Sequence, residues 1–211
     1  MEDRRIFVIG DIHGCYLKLR KMLARLDYKP GQGDLLILLG DYIDRGPQSF
    51  EVVETLAELA EQGPEEVIPL MGNHESMFLD FITGQADPQL SANGLANTIR
   101  DYCRSDNELT TAHLLFYRRL HLWHETDSHI FVHAGLAPGK TLAEQTPHDL
   151  LWIRDEFLNS DYDFGKTVVF GHTPFKEPYV APGRLGLDTG AVFGGPLTAV
   201  VLPEMRFVFA D

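Results

Sequence analysis

Three short apolar runs, each stopped by a glycine and then at once by acidic, amide or imidazole side chains, constrain this chain more than any other feature. Ile6-Phe7-Val8-Ile9 gives way to Gly10-Asp11-Ile12-His13-Gly14, and Leu35 to Leu39 gives way to Gly40-Asp41-Tyr42-Ile43-Asp44-Arg45-Gly46. Val67 to Leu70 leads into Gly72-Asn73-His74-Glu75. Runs this short and this continuous read as strands buried on both faces. Between them, Leu19, Met22, Leu23 and Leu26 recur at helical spacing, as do Phe50, Val53, Leu56, Ala57 and Ala60, the second stripe closed by Gly63-Pro64. Strand, loop and helix therefore alternate, with a polar motif at the C-terminal end of each strand, where open α/β sheets place their ligands.

Further along, residues from about 76 to 127 show no strand run. They read as helical, with Leu109, His113, Phe116, Tyr117 and Leu120 on one stripe. We expect a helical insertion at about 80–125 within a single domain spanning 1–211. Strand patterns resume at Ile130–Val132, followed by His133-Ala134-Gly135, and at Thr167–Phe170, followed by Gly171-His172-Thr173. Near Arg184–Leu187, Leu197–Leu202 and Phe207–Phe209, strands follow one another between Gly and Pro rather than forming βα units.

Composition narrows the partners. Lys and Arg number 18 against 31 Asp and Glu, a formal net charge of −13. That acidity argues against a broad grip on nucleic acid or an anionic membrane, while leaving room for a small positive site. No stretch approaches a membrane span, and the chain enters its first strand too early for a signal peptide's apolar segment. Two cysteines, Cys15 and Cys103, make no disulfide framework. A cytoplasmic location is the expectation.

Carboxylate, imidazole and amide oxygen are ligands accepted by Mn, Fe and Zn, and no thiolate is among the motif residues. Any one of these loops alone reads as a capped turn. Five in order, each behind a strand, point to a common site. The series GDIHG, GDYIDRG, GNHE, His-Ala-Gly and Gly-His-Thr resembles the metallophosphoesterases. More narrowly, it is similar to the phosphoprotein phosphatase family, in particular its compact bacterial and bacteriophage serine/threonine phosphatases, from about Ile6 to Val201. The resemblance implies a calcineurin-like α/β fold, a central sandwich of two mixed sheets flanked by helices. It also implies two divalent transition metals, with Mn expected and Fe or Zn compatible. Asp11 and His13 would hold one ion, Asp41 would bridge, and Asn73, His133 and His172 would hold the other. His74 corresponds to the family's general acid, oriented by Asp44, and Arg45 and Arg154 to its phosphate-binding arginines. The physics agrees: paired cations clamp phosphoryl oxygens, a carboxylate supports a cationic imidazole, and a guanidinium fork matches phosphate.

The pattern also departs from relatives. Gly171-His172-Thr173-Pro174 lacks the second histidine of the Gly-His-x-His found in nuclease-type metallophosphoesterases. The stretch Leu187 to Gly195 stands where eukaryotic phosphatases carry a tyrosine-bearing loop. Symmetrical diadenosine tetraphosphate hydrolases typically lack the second Asp of GDxxDRG and read GNHD, whereas this chain has Asp44 and Glu75. On that basis the expected reaction is single-step hydrolysis of phosphomonoesters, foremost of serine/threonine phosphoproteins, with phosphotyrosine left open. Symmetrical tetraphosphate hydrolysis is the enzymatic alternative, and a silent phosphoprotein-binding scaffold the non-enzymatic one. His113, His121, His124, His129 and His148 fit no motif and read as surface or packing residues, and Glu51, Glu54, Glu58 and Glu61 as a solvated helix face.

Overall fold

The computed structural model describes residues 4–85, 95–104 and 108–211. The extreme N-terminus and two stretches of the expected helical insertion, 86–94 and 105–107, lie outside the described residues. Each early apolar run becomes a strand: β1 (Ile6–Ile9), β2 (Leu35–Leu38) and β3 (Val67–Pro69). They pair in parallel, β2 in the middle. The late strands β9 (Leu197–Leu202) and β10 (Arg206–Ala210) complete a five-stranded sheet in the order β10-β9-β1-β2-β3, both joining antiparallel. The second five-stranded sheet runs β4 (Trp123–Glu125), β5 (His129–Val132), β6 (Thr167–Phe170), β8 (Arg184–Gly186) and β7 (Tyr179–Ala181). Both sheets are mixed, as the resemblance implied.

Alternation along each strand builds three layers of core. Val8, Leu35, Ile37 and Val200 of the first sheet meet Phe131, Val169 and Leu185 of the second. Phe7, Ile9, Leu36 and Leu38 turn the other way, onto α1 (Tyr16–Arg25) and α2 (Ser49–Gln62). Ile130, Val132, Val168 and Phe170 face Leu150 of α6 (Pro147–Trp152) and Phe157 of α7 (Asp155–Leu158). Each such buried side chain contributes roughly 1.5–3 kcal/mol, so both sheets are fixed from two sides.

The remaining helices are α3 (Asn73–Ile82), α4 (Ala96–Tyr102) and α5 (Thr111–Arg118). On α5, His113, Phe116 and Tyr117 are buried along the expected stripe. The expectation of an all-helical stretch to about 127 is corrected by β4. This strand has an exposed-intermediate-exposed pattern and is held by its backbone pairing to β5, so no apolar run marks it. The edge strand β7 escapes sequence reading for the same reason. Glu54 is also more than a solvated residue, since its carboxylate pairs with the buried His113. Among the described residues, no helix is long and apolar enough to cross a membrane.

Candidate active site

Every motif lies at a strand's C-terminal end, and the sandwich brings those ends together. Asp11 follows β1, Asp41 follows β2, Asn73 and His74 open α3 behind β3, His133 follows β5 and His172 follows β6. The loops are laced together by backbone bonds: Ile12 and His13 donate to Asp41 O at 3.0 and 2.8 Å, and Gly171 N donates to His133 O at 2.8 Å. The φ angles of His13, Asp41, Asp44, Arg45 and His172 are all positive, a conformation that costs a non-glycine residue energy and that collects at functional sites. Glycine is required where loops nearly touch. A Cβ at Gly171 would sit 2.0 Å from Asp11 Oδ1, and one at Gly72 would sit 2.2 Å from Asp41 Oδ1.

Asp41 is central. Its Oδ2 faces His13 Nε2 at 3.4 Å, and its Oδ1 faces His133 Nε2 at 3.4 Å. Two groups of side chains share it, His13-Asp41-His74 and Asp41-His133-His172, with ligand atoms within 4.8 Å of one another in each. These groups could hold metal ions. Backbone carbonyls orient two of the imidazoles for metal binding. His13 Nδ1 lies 2.8 Å from Ile43 O, and His133 Nδ1 lies 2.8 Å from Leu39 O, leaving each Nε2 aimed inward. Asn73 Oδ1 lies 3.0 Å from both His133 Nε2 and His172 Nδ1.

Two observations fit this donor set to cations. Asp11 Oδ1 and His172 Nε2 are buried without a hydrogen-bond partner. The electrostatics are those of a site short of positive charge. Burial, then the nearby Asp188 and Asp41 carboxylates, raise Asp11 well above the usual carboxylate range. Burial lowers His13 to about 4, and burial with the charges of His133 and Arg154 lowers His172 to about 2. Neutral imidazoles and crowded carboxylates are what a divalent cation binds.

His74 stands apart in its bonding. Its Nδ1 lies 2.7 Å from Asp44 Oδ2, and Asp44 is held by Ser49 and Thr98, whose hydroxyls accept from its N–H at 3.1 and 3.0 Å. Burial would lower His74, but Asp41 and the Asp44 hydrogen bond outweigh it, so its pKa is raised and its cationic form supported. The expected acid and its orienting carboxylate are therefore in contact. His74 also stands within the group containing His13 and Asp41, a placement its sequence position did not suggest. Arg45 reaches the site, its guanidinium touching the His13 ring. Arg154, exposed in the turn after α6, makes itself felt by charge, helping burial to lower His133. Trp152 packs edge-on to His172, ring centres 6.1 Å apart.

The structure adds one residue to the site and reassigns another. Asp188, just after β8 and absent from the expected set, is buried; burial and Asp41 raise it to about 6, against Arg45 and Arg154. The strand-end rule that marks the other motifs marks this one too. Glu75, one of the two residues that seemed to separate phosphatase from tetraphosphatase, faces no solvent and accepts the N–H groups of Asp41, Tyr42, Ile43 and Gly72 at 2.8, 2.8, 3.3 and 3.0 Å. It fastens the Asp41 loop to α3 and presents no surface to solvent, so any influence on substrate would be exerted through that loop.

Comparison with known proteins agrees with the architecture and revises the reaction. The Metallophos family, calcineurin-like phosphoesterase, matches residues 4–202. An asymmetrical bis(5'-nucleosyl)-tetraphosphatase PrpE of Geobacillus sp. is 30% identical, the alignment covering 97% of this chain and 93% of that one. The PrpE of Anoxybacillus flavithermus is 30% identical, with 95% and 91% covered. Among solved structures, a candidate diadenosine tetraphosphatase superposes with a TM-score of 0.78 at 24% identity, over 99% of this chain and 94% of that one. A yeast serine/threonine phosphatase similar to human PP5 superposes at 0.68 with 16% identity, over 99% and 80%. The last two likenesses speak to fold. The expectation of a serine/threonine protein phosphatase acting on phosphorylated protein is overturned by the PrpE relatives, which match at near full length. With its motifs gathered at the strand ends of a two-sheet sandwich and its sequence matched almost from end to end, the chain belongs to the calcineurin-like metallophosphoesterases.

Proposed function

We propose that this chain hydrolyses bis(5'-nucleosyl) tetraphosphates asymmetrically, to a nucleoside triphosphate and a nucleoside monophosphate, at a centre of two divalent transition-metal ions. The near full-length similarity to asymmetrical tetraphosphatases carries the reading. The arrangement of the site supports it: Asp41 lies between the two histidine groups, with an oxygen towards each, where it would serve as a shared ligand. Asp11 and His13 would complete one metal site and Asn73, His133 and His172 the other, with Mn the first choice and Fe or Zn compatible with the same donors. When bound, such a pair supplies positive charge and Lewis acidity for phosphoryl transfer to water.

The chain's own residues account for the rest. Arg45 and Arg154 add cationic charge where the polyphosphate must enter, and a guanidinium can hold two phosphate oxygens at once. Asp44 accepts from His74 Nδ1 and leaves Nε2 free to give its proton to the oxygen that departs as the P–O–P bond breaks. That oxygen belongs to a nucleotide phosphate, far less basic than a serine alkoxide. A less basic leaving oxygen needs that proton less, yet either oxygen can take it, so the His74–Asp44 pair does not by itself mark a protein phosphatase. Incubation of the Mn-loaded protein with diadenosine tetraphosphate tests the reading. We expect turnover that a chelator abolishes and that fresh Mn restores; no turnover, or turnover indifferent to chelator, contradicts it.

A further inference from the structure

The stretch from Leu187 to Gly195 holds a side chain for which the proposed chemistry has no use. Phe193, a large apolar residue, is 67% exposed at the end of a 3-10 turn, Ala191–Phe193. The guanidinium of Arg45 lies over one face of its ring, Cζ 5.7 Å from the ring centre, which leaves the opposite face for a ligand. The other end of the same guanidinium touches His13. Arg45 thus links the Phe193 ring to His13, one of the candidate metal ligands.

The turn that carries it is fastened on all sides. Phe193 N donates to Gly190 O at 2.8 Å, and Gly195 N donates to the same oxygen at 3.0 Å. Gly190 N donates to Asp188 Oδ1 at 2.9 Å. From α1, Lys18 Nζ reaches Ala191 O at 3.1 Å and Gly195 O at 2.5 Å. Thr189 Oγ1 donates to Pro196 O at 2.7 Å. An aromatic ring held out to solvent on a fastened turn loses little freedom when something stacks on it, and stacking on a π-face is open to any nucleobase. The cation over the ring's other face adds charge that suits the phosphate next to that base.

We propose that Phe193 is the platform on which one nucleobase of the substrate stacks, and that this base belongs to the mononucleotide half. A ring separated from His13 by a single arginine side chain suits a nucleoside joined to the attacked phosphorus through one phosphate better than one joined through three. The proposal rests on the tetraphosphatase reading and gives that reading a structural source for asymmetric cleavage.

The test compares AMP with ribose 5-phosphate, which differ by the base alone, as calorimetric ligands of the Mn-loaded protein. The wild-type chain should bind AMP about ten-fold more tightly, the preference should fall to about two-fold or less in Phe193→Ala, and Phe193→Trp should keep it. A wild-type protein with no preference for AMP, or a preference untouched by Phe193→Ala, overturns the proposal. Turnover of diadenosine tetraphosphate is measured in parallel. A Phe193-dependent preference without turnover leaves the base platform standing and removes the reaction assignment; turnover with a Phe193-independent preference does the reverse.

Discussion

Replacing Gly171 with alanine perturbs one buried carboxylate, that of Asp11. A Cβ there would lie 2.0 Å from Asp11 Oδ1, and ordinary contact begins at 3.4 Å, so the carboxylate must give way by about 1.4 Å. Gly171 does not have a positive φ, so alanine suits its backbone and the perturbation falls on Asp11. Asp11 Oδ1 has no hydrogen-bond partner, but Oδ2 accepts the His172 N–H at 2.9 Å, so part of the cost falls on that bond and the rest on cation binding. Misplacement by an ångström costs on the order of 100-fold in rate, and we expect at least that loss in kcat together with weaker Mn binding. Gly165→Ala provides the comparison. Gly165 has φ +75° and nothing within 4 Å of an added Cβ, so alanine there strains only the backbone. The strain is about 1–2 kcal/mol, a melting point lower by about 2–8 °C, with turnover unchanged. Steady-state kinetics and calorimetry on both variants separate the effects. Wild-type kcat and Mn affinity in Gly171→Ala would refute the assignment of Asp11 as a ligand.

Other perturbations read other parts of the site. His74→Asn should lower kcat by about 100-fold with two metals per chain retained, by elemental analysis; loss of one equivalent would instead make His74 a ligand, as its grouping with His13 and Asp41 allows. Asp41→Asn should weaken both metal sites together, and loss of only one would contradict a bridging role.

Strands that bury their side chains announce themselves in sequence: β1, β6 and β9 run as read, because Ile6–Ile9, Thr167–Phe170 and Leu197–Leu202 are apolar on both faces. Edge strands such as Trp123–Glu125 and Tyr179–Ala181 do not, because backbone pairing holds them and their exposed positions carry no pattern. The site residues are legible for a related reason. Each follows a strand, so a one-dimensional signal marks a three-dimensional rim, and Asp11, His13, Asp41, Asn73, His133 and His172 meet there. The choice of substrate is what fails. It rests on Asp44 and Glu75, and the structure gives Asp44 to His74 and Glu75 to four backbone N–H groups. Apart from the Gly72 contact, these bonds span 30 or more residues and have no signature in local spacing.

Chromatographic identification of the nucleotides released from diadenosine tetraphosphate by the Mn-loaded protein tests the central claim most directly. The account predicts equal amounts of ATP and AMP from the first turnovers. ADP as the sole product would contradict it, moving the attacked phosphorus to the middle of the chain.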